Sequence, residues 1–310
     1  MEFQVPSQSY PPMHRLNYLL SFLLVLFFVP TALAANFEGD IESGFIKKNA
    51  LETEHFILEF SDLILGQTDD DGDGISNVIE LLAESAEESW DVVIEDMNYE
   101  EPVPDGSKLT VILDDRNEFL FPGAIGVTTL LSDGVTPVVA VDPWLTDGIL
   151  EVTMAHEFFH SVQFGYDPGF ASTYSGINFA EASAVWVEDV VYDEVDDYLN
   201  YLESFFNYPD YSIFASIVPD GTLYEYALMI WPKFLSEYYE DDSIILDIWE
   251  TYFDSNLDET SNNKSFEAVR DVIEGRGDTL SDIYREFTLW NLMSESYEEG
   301  EGYPGVLTLV

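Results

Sequence analysis

Thr153-Met154-Ala155-His156-Glu157-Phe158-Phe159-His160 (TMAHEFFH, 153–160) holds two of the four histidines in the chain. On a helix, residues four apart share a face, so His156 and His160 would present two imidazoles one turn apart. Glu157 sits beside the first of them. This is the H-E-x-x-H spacing, in which two histidines hold a zinc ion and the glutamate acts as general base toward its water. Thr146 and Asp147 offer a start and Gly165 a stop, so the spacing predicts a helix over about 148–164.

A catalytic zinc takes a third protein ligand and keeps one position open. The chain has no cysteine, which excludes disulfides and thiolate ligands alike. The other histidines are His14, in the N-terminal leader, and His55, far upstream. A downstream carboxylate is therefore the natural third ligand. Asn178-Phe179-Ala180-Glu181 opens the next predicted helix, about 179–191, and offers Glu181. The same four residues spell a capping box, in which Glu181 would only satisfy helix N–H groups. Glu188 shares a helical face with Glu181. It is either a rival ligand or the carboxylate that orients a ligating histidine through its second ring nitrogen.

The chain has 310 residues, enough for one large domain or two subdomains. It carries 61 Asp and Glu against 10 Lys and Arg, a formal net charge of −51. With 46% hydrophobic and 15% aromatic residues, the acidity does not signal disorder. Self-repulsion on this scale calls for screening counter-ions and points to a salty or divalent-rich exterior. No basic patch is present to meet phosphates, so nucleic acid and anionic membranes are poor partners. Leu19–Val29 is an apolar run preceded by Arg15 and followed by Ala32-Leu33-Ala34. It reads as a secretory signal peptide over 1–34, cut after Ala34, and is short for a membrane span. The mature chain is expected to be secreted, to the exterior or cell envelope, with no stable membrane anchor.

Strands are predicted at 51–60, 109–113 and 138–141, with an edge strand or loop at 123–131. A long helix is predicted over 75–97. Beyond 148–164 and 179–191, further helices are predicted at 195–207, 223–240, 243–253, 264–274 and 279–293. Strands first and helices later argue an α+β fold, with an N-terminal subdomain over 35–150 and a helical subdomain over 151–310. Ahead of the long helix, residues 69–80 (DDDGDGISNVIE) fit D-x-D-x-D-G-x5-E. In that pattern Asp69, Asp71, Asp73, the Ile75 carbonyl, Asn77 and a bidentate Glu80 surround calcium, and Gly74 allows the sharp turn. Ser76 replaces the apolar residue usual in paired loops, and no good incoming helix precedes the run. A lone extracellular loop with a structural calcium is expected, pinning the following helix.

HEFFHSVQFGYD (156–167) followed by AEASAVWVEDVVYDEVDDYLNYL (180–202) resembles the gluzincins, zinc peptidases with two His ligands and one Glu ligand. YALMIWPKFLSEYY (226–239), FTLWNL and EGYP add to a closer resemblance, to a family of secreted metalloproteases known mainly from genome sequences and named after a myxobacterial locus. The resemblance implies a zincin-like fold. It implies His156, His160 and Glu181 as zinc ligands, Glu157 as base and Glu188 behind the ligands. Tyr224-Glu225-Tyr226-Ala227 looks like the YExG element that supplies an oxyanion-stabilising tyrosine in some gluzincins. With alanine in place of the glycine, Tyr224 and Tyr226 both stand as candidates. Gly126 occupies the place of the glutamate that holds the substrate's amine in gluzincin aminopeptidases, which favours an endopeptidase acting on peptides or proteins. The alternative from another class is a catalytically silent, calcium-binding surface protein that keeps a zincin fold.

Overall fold

The computed structural model describes residues 48–104, 106–115, 120, 123–169, 177–214, 222–254 and 264–304, and the signal peptide read at 1–34 lies outside them. β1 (Lys48–Glu52) and β2 (Phe56–Ser61) form an antiparallel pair. The single strand expected over 51–60 is thus a hairpin. Thr53 turns the chain: its N–H donates to the Phe56 carbonyl at 3.1 Å, and its hydroxyl accepts from the Phe56 N–H at 3.2 Å.

A short α1 (Asp62–Leu65), the acidic loop and α2 (Asn77–Trp90) come next. The chain winds on as a π-helical segment, Asp91–Asp96. The helix begins two residues later than expected because loop bonds claim its first residues. Ser76 donates its hydroxyl to the Ile64 carbonyl, and the Asn77 N–H goes to Thr68, each at 2.8 Å.

β3 (Leu109–Leu113), β4 (Gly126–Leu130) and β5 (Pro137–Val141) complete a five-stranded mixed sheet of order β1-β2-β3-β5-β4. β2, β3 and β5 run parallel, and β4 lies antiparallel to β5 at the edge. Successive side chains on a strand point to opposite faces. Phe56, Leu58, Val111, Leu113, Val139 and Val141 therefore enter the main core, while Ile112, Val127, Val138 and Ala140 build a smaller cluster behind the sheet.

The rest is helical: α3 (Asp147–Tyr166), α4 (Ile177–Val191), α5 (Leu202–Asn207), α6 (Tyr224–Ala227), α7 (Ile230–Tyr239), α8 (Ser243–Phe253), α9 (Lys264–Gly275) and α10 (Leu280–Leu292). The helix expected over 223–240 breaks between α6 and α7. Pro232 has no N–H for the Leu228 carbonyl, and its ring would collide with that carbonyl in a continuous helix. Among the described residues, one cluster of buried side chains includes members from Phe56 to Tyr303, and residue 150, the expected subdomain boundary, lies inside α3. Among the described residues, no helix is long and apolar enough to cross a membrane.

α3 lies between the sheet, α2 and α4, and nearly every residue from Leu150 to Phe164 is buried. A helix buried all round must satisfy its polar side chains inside the protein. On α3 those side chains include His156, Glu157, His160 and Gln163.

Candidate metal centre

His156, Glu157, His160 and Glu181 are 3%, 0%, 1% and 3% exposed. The helical repeat brings the two imidazoles together edge to face, with ring centroids 4.6 Å and Nε2 atoms 2.9 Å apart. From α4, Glu181 brings its Oε2 to 3.3 Å from His156 Nε2 and 3.5 Å from His160 Nε2. Its carboxylate is thus turned onto the histidines. The Asn178-x-x-Glu181 run, which also spelled a capping box, lies within α4, whose described part begins at Ile177.

The opposite ring nitrogens define what these atoms can do. His156 Nδ1 lies 2.5 Å from Glu188 Oε1, and His160 Nδ1 lies 2.8 Å from Gln163 Oε1. The Gln163 amide is oriented by its own donors, which reach the Ala180 carbonyl at 3.2 Å and Ser183 Oγ at 3.4 Å. An N–H at each Nδ1 satisfies both oxygens, and both Nε2 lone pairs then face Glu181. Three acceptors then converge with no proton between them. Such a group needs a positive charge, either a further proton or a cation.

The electrostatics agree. Burial disfavours the charged His156 ring, but hydrogen bonds and charge from Glu181 and Glu188 outweigh it and push its pKa well above the ordinary value. Burial alone would raise the Glu181 carboxyl, but the imidazoles, His160 foremost, hold it at about 2. Glu181 Oε2 is buried and finds no hydrogen-bond partner among the described residues. His156, His160 and Glu181 together could hold a metal ion.

Glu157 lies against this group on the side of β4. The Thr128 hydroxyl is 2.7 Å from its Oε2 and 2.8 Å from its backbone carbonyl, while Oε1 has no hydrogen-bond partner among the described residues. Burial raises its pKa. Glu157, His156 and Tyr226 line a cavity of about 70 Å³, walled mainly by Ile125, Val152, Leu223 and Tyr201.

The four-residue α6 decides between the two tyrosines. Residues two apart on a helix point to nearly opposite sides. Tyr226 stacks obliquely on His156 with 6.0 Å between ring centroids, and burial with the charges of Glu181, Glu225 and Glu157 pushes its pKa well up. Tyr224 faces away: its hydroxyl donates to the Tyr211 carbonyl at 3.1 Å and its ring lies against Phe205. Tyr224 is therefore not brought to the histidines. Gln163 and Thr128 were missed by sequence reasoning. Gln163 follows His160 by three residues on one helix face, a signal that was legible. Thr128 meets Glu157 only through the tertiary fold.

In the acidic loop, Asp69, Asp71 and Asp73 converge closely enough to hold an ion. Gly72 and Gly74, at φ 80° and 98°, donate their N–H groups to Asp69 at 2.7 and 3.0 Å. Desolvation and the charges of Asp71, Asp73 and Asp69 push the Glu80 carboxyl upward, which places it within their field. The Ile75 N–H donates to Asp73 Oδ1 at 2.8 Å. Asn77 differs from its expected role: its side chain exchanges two hydrogen bonds with Asp70, at 3.0 and 2.9 Å.

Comparison with models of protein families, with curated proteins and with solved structures found no match in any of the three.

Proposed function

We propose that the chain is a secreted zinc-dependent peptidase of the gluzincin type that cleaves internal peptide bonds. The observation that carries this reading is the convergence of three acceptors, His156 Nε2, His160 Nε2 and Glu181 Oε2, beside Glu157 Oε1, which has no hydrogen-bond partner among the described residues. Tetrahedral zinc with bonds of about 2.0–2.1 Å sets its ligand atoms about 3.3–3.4 Å apart. The two contacts of Glu181 fall at 3.3 and 3.5 Å, and the nitrogens lie somewhat closer at 2.9 Å. Held there, zinc would supply a Lewis acid that polarises the scissile carbonyl and acidifies water.

The chain's own residues have separable tasks. Glu188 and Gln163 fix the imidazole tautomers and aim the Nε2 lone pairs. Glu157 takes the proton of the attacking water at Oε1 and returns it to the leaving amine. Tyr226, kept protonated by its surroundings, donates to the oxyanion that develops on the carbonyl. Gly126 offers no carboxylate for a substrate's terminal amine, which supports endopeptidase action. In the acidic loop, Asp69, Asp71, Asp73 and Glu80 would hold a structural calcium ion at the start of α2.

The test is zinc content together with turnover. Wild type and Glu157→Ala should each carry one zinc per chain, and only wild type should cleave casein or a peptide library. One zinc with no cleavage by either would favour the catalytically silent surface protein. Loss of stoichiometric zinc from wild type would remove the metal centre.

A further inference from the structure

β4 ends the described sheet, and residues two apart on a strand share a face. Gly126 and Thr128 therefore point the same way, toward α3, while Val127 between them joins the cluster behind the sheet. Both meet one side chain, Glu157. The Thr128 hydroxyl sits 2.7 Å from Oε2 and 2.8 Å from the Glu157 carbonyl, so it fastens that oxygen against the helix backbone. Gly126 meets the other end of the carboxylate. A Cβ built there would lie 2.7 Å from Glu157 Cγ, 2.7 Å from Oε1 and 2.8 Å from Thr153 Cγ2. No real Cβ fits at those distances, and no positive φ is recorded for this glycine that would explain it otherwise. The absent side chain is what gives Oε1 its room.

We propose that Gly126 and Thr128 are positioning residues for the general base: Thr128 ties down Oε2, Gly126 clears the space before Oε1, and Oε1 is thereby the oxygen that handles the proton. This rests on the reading of Glu157 as base. It adds a division of labour between its two oxygens, which the H-E-x-x-H spacing does not contain. Misplacing a reacting group by about an ångström can cost about a hundredfold in rate. Two small residues on a neighbouring strand thus gain a large influence over a step they do not touch.

Four variants test it: Thr128→Val, Thr128→Ser, Gly126→Ala and Glu157→Gln. Thr128→Val should lower kcat about tenfold, with KM changed less than about twofold and zinc content unchanged. Thr128→Ser, which keeps the hydroxyl, should recover most of that loss. Gly126→Ala should lower kcat about a hundredfold. A second readout needs no turnover. In metal-free protein, melting temperatures of wild type, Thr128→Val, Glu157→Gln and the double variant form a cycle. The effects of Thr128→Val and Glu157→Gln should be non-additive, since the two side chains touch. Additive shifts, or equal kcat in Thr128→Val and wild type, would overturn the proposal. If wild type itself cleaves nothing, the peptidase reading fails, while the melting cycle still decides whether Thr128 holds Glu157.

Discussion

At the residue scale, the centre depends on which nitrogen of each histidine carries a proton. Glu188 Oε1, 2.5 Å from His156 Nδ1, settles that for one ring. Glu188→Gln keeps the shape but removes the charge, and zinc affinity should fall about 10–100-fold in a competition titration with a chelating dye. An unchanged affinity would show that the contact is packing alone. Much of this was legible. The four-residue spacing placed His156 and His160 together, and the lack of cysteine pointed the third ligand to a carboxylate. What stayed hidden was hidden for physical reasons. Tyr224 and Tyr226 are indistinguishable until the phase of a four-residue helix is known. Thr128 reaches Glu157 across 29 positions of chain, a contact that no local periodicity encodes.

At the element scale, the acidic loop and the helices behind the centre invite separate measurements. Asp69, Asp71 and Asp73 gather at the start of α2, and without a cation their charges repel. Asp71→Ala should therefore lower the melting temperature in millimolar calcium and not in excess chelator. A calcium-dependent rise that persists in the variant would dissociate the loop from the ion. Behind the centre, Lys233 of α7 is buried with Asp189 at 2.8 Å, Glu237 at 3.2 Å and Glu299 at 2.7 Å. Burial raises Asp189 to about 6 and Glu237 to about 7, from ordinary values of 3.8 and 4.5. With folded pKa values above the unfolded ones, the folded state binds more protons between these limits. Stability is thus highest below about pH 4 for these groups and is lost as pH rises through about 6–7. Replacing Glu237 by Gln should flatten the fall in melting temperature between pH 5 and 7.5, and an unaltered slope would exclude Glu237 as its source. Element types were largely legible because the periodicities are strong. Two exceptions have local causes: the Thr53 turn that splits the first strand, and Pro232, which separates α6 from α7; a third is the helix expected over 195–207, which is a 3-10 turn, Asp197–Asn200, followed by α5.

At the scale of the whole molecule, the charge of −51 acts on every element at once. The screening length shrinks from about 30 Å at 0.01 M salt to about 3 Å at 1 M. The melting temperature should therefore climb steeply with sodium chloride over that range. A flat response would mean that the carboxylates are already paired with bound cations. The α+β class followed from strands preceding helices, but the order β1-β2-β3-β5-β4 did not, because partner choice between strands leaves no mark on a single sequence. The Lys233 cluster has one more consequence, in the order of assembly. Asp189 and Glu237 lie on α4 and α7, whereas Glu299 follows α10 and comes later in the chain than either. Until that segment docks, the lysine has only part of its counter-charge, and the surrounding helices close over it at an electrostatic disadvantage. Closing the interior around Lys233 is thus coupled to the arrival of Glu299, and a chain that folds as it emerges would complete this cluster only once that later segment docks.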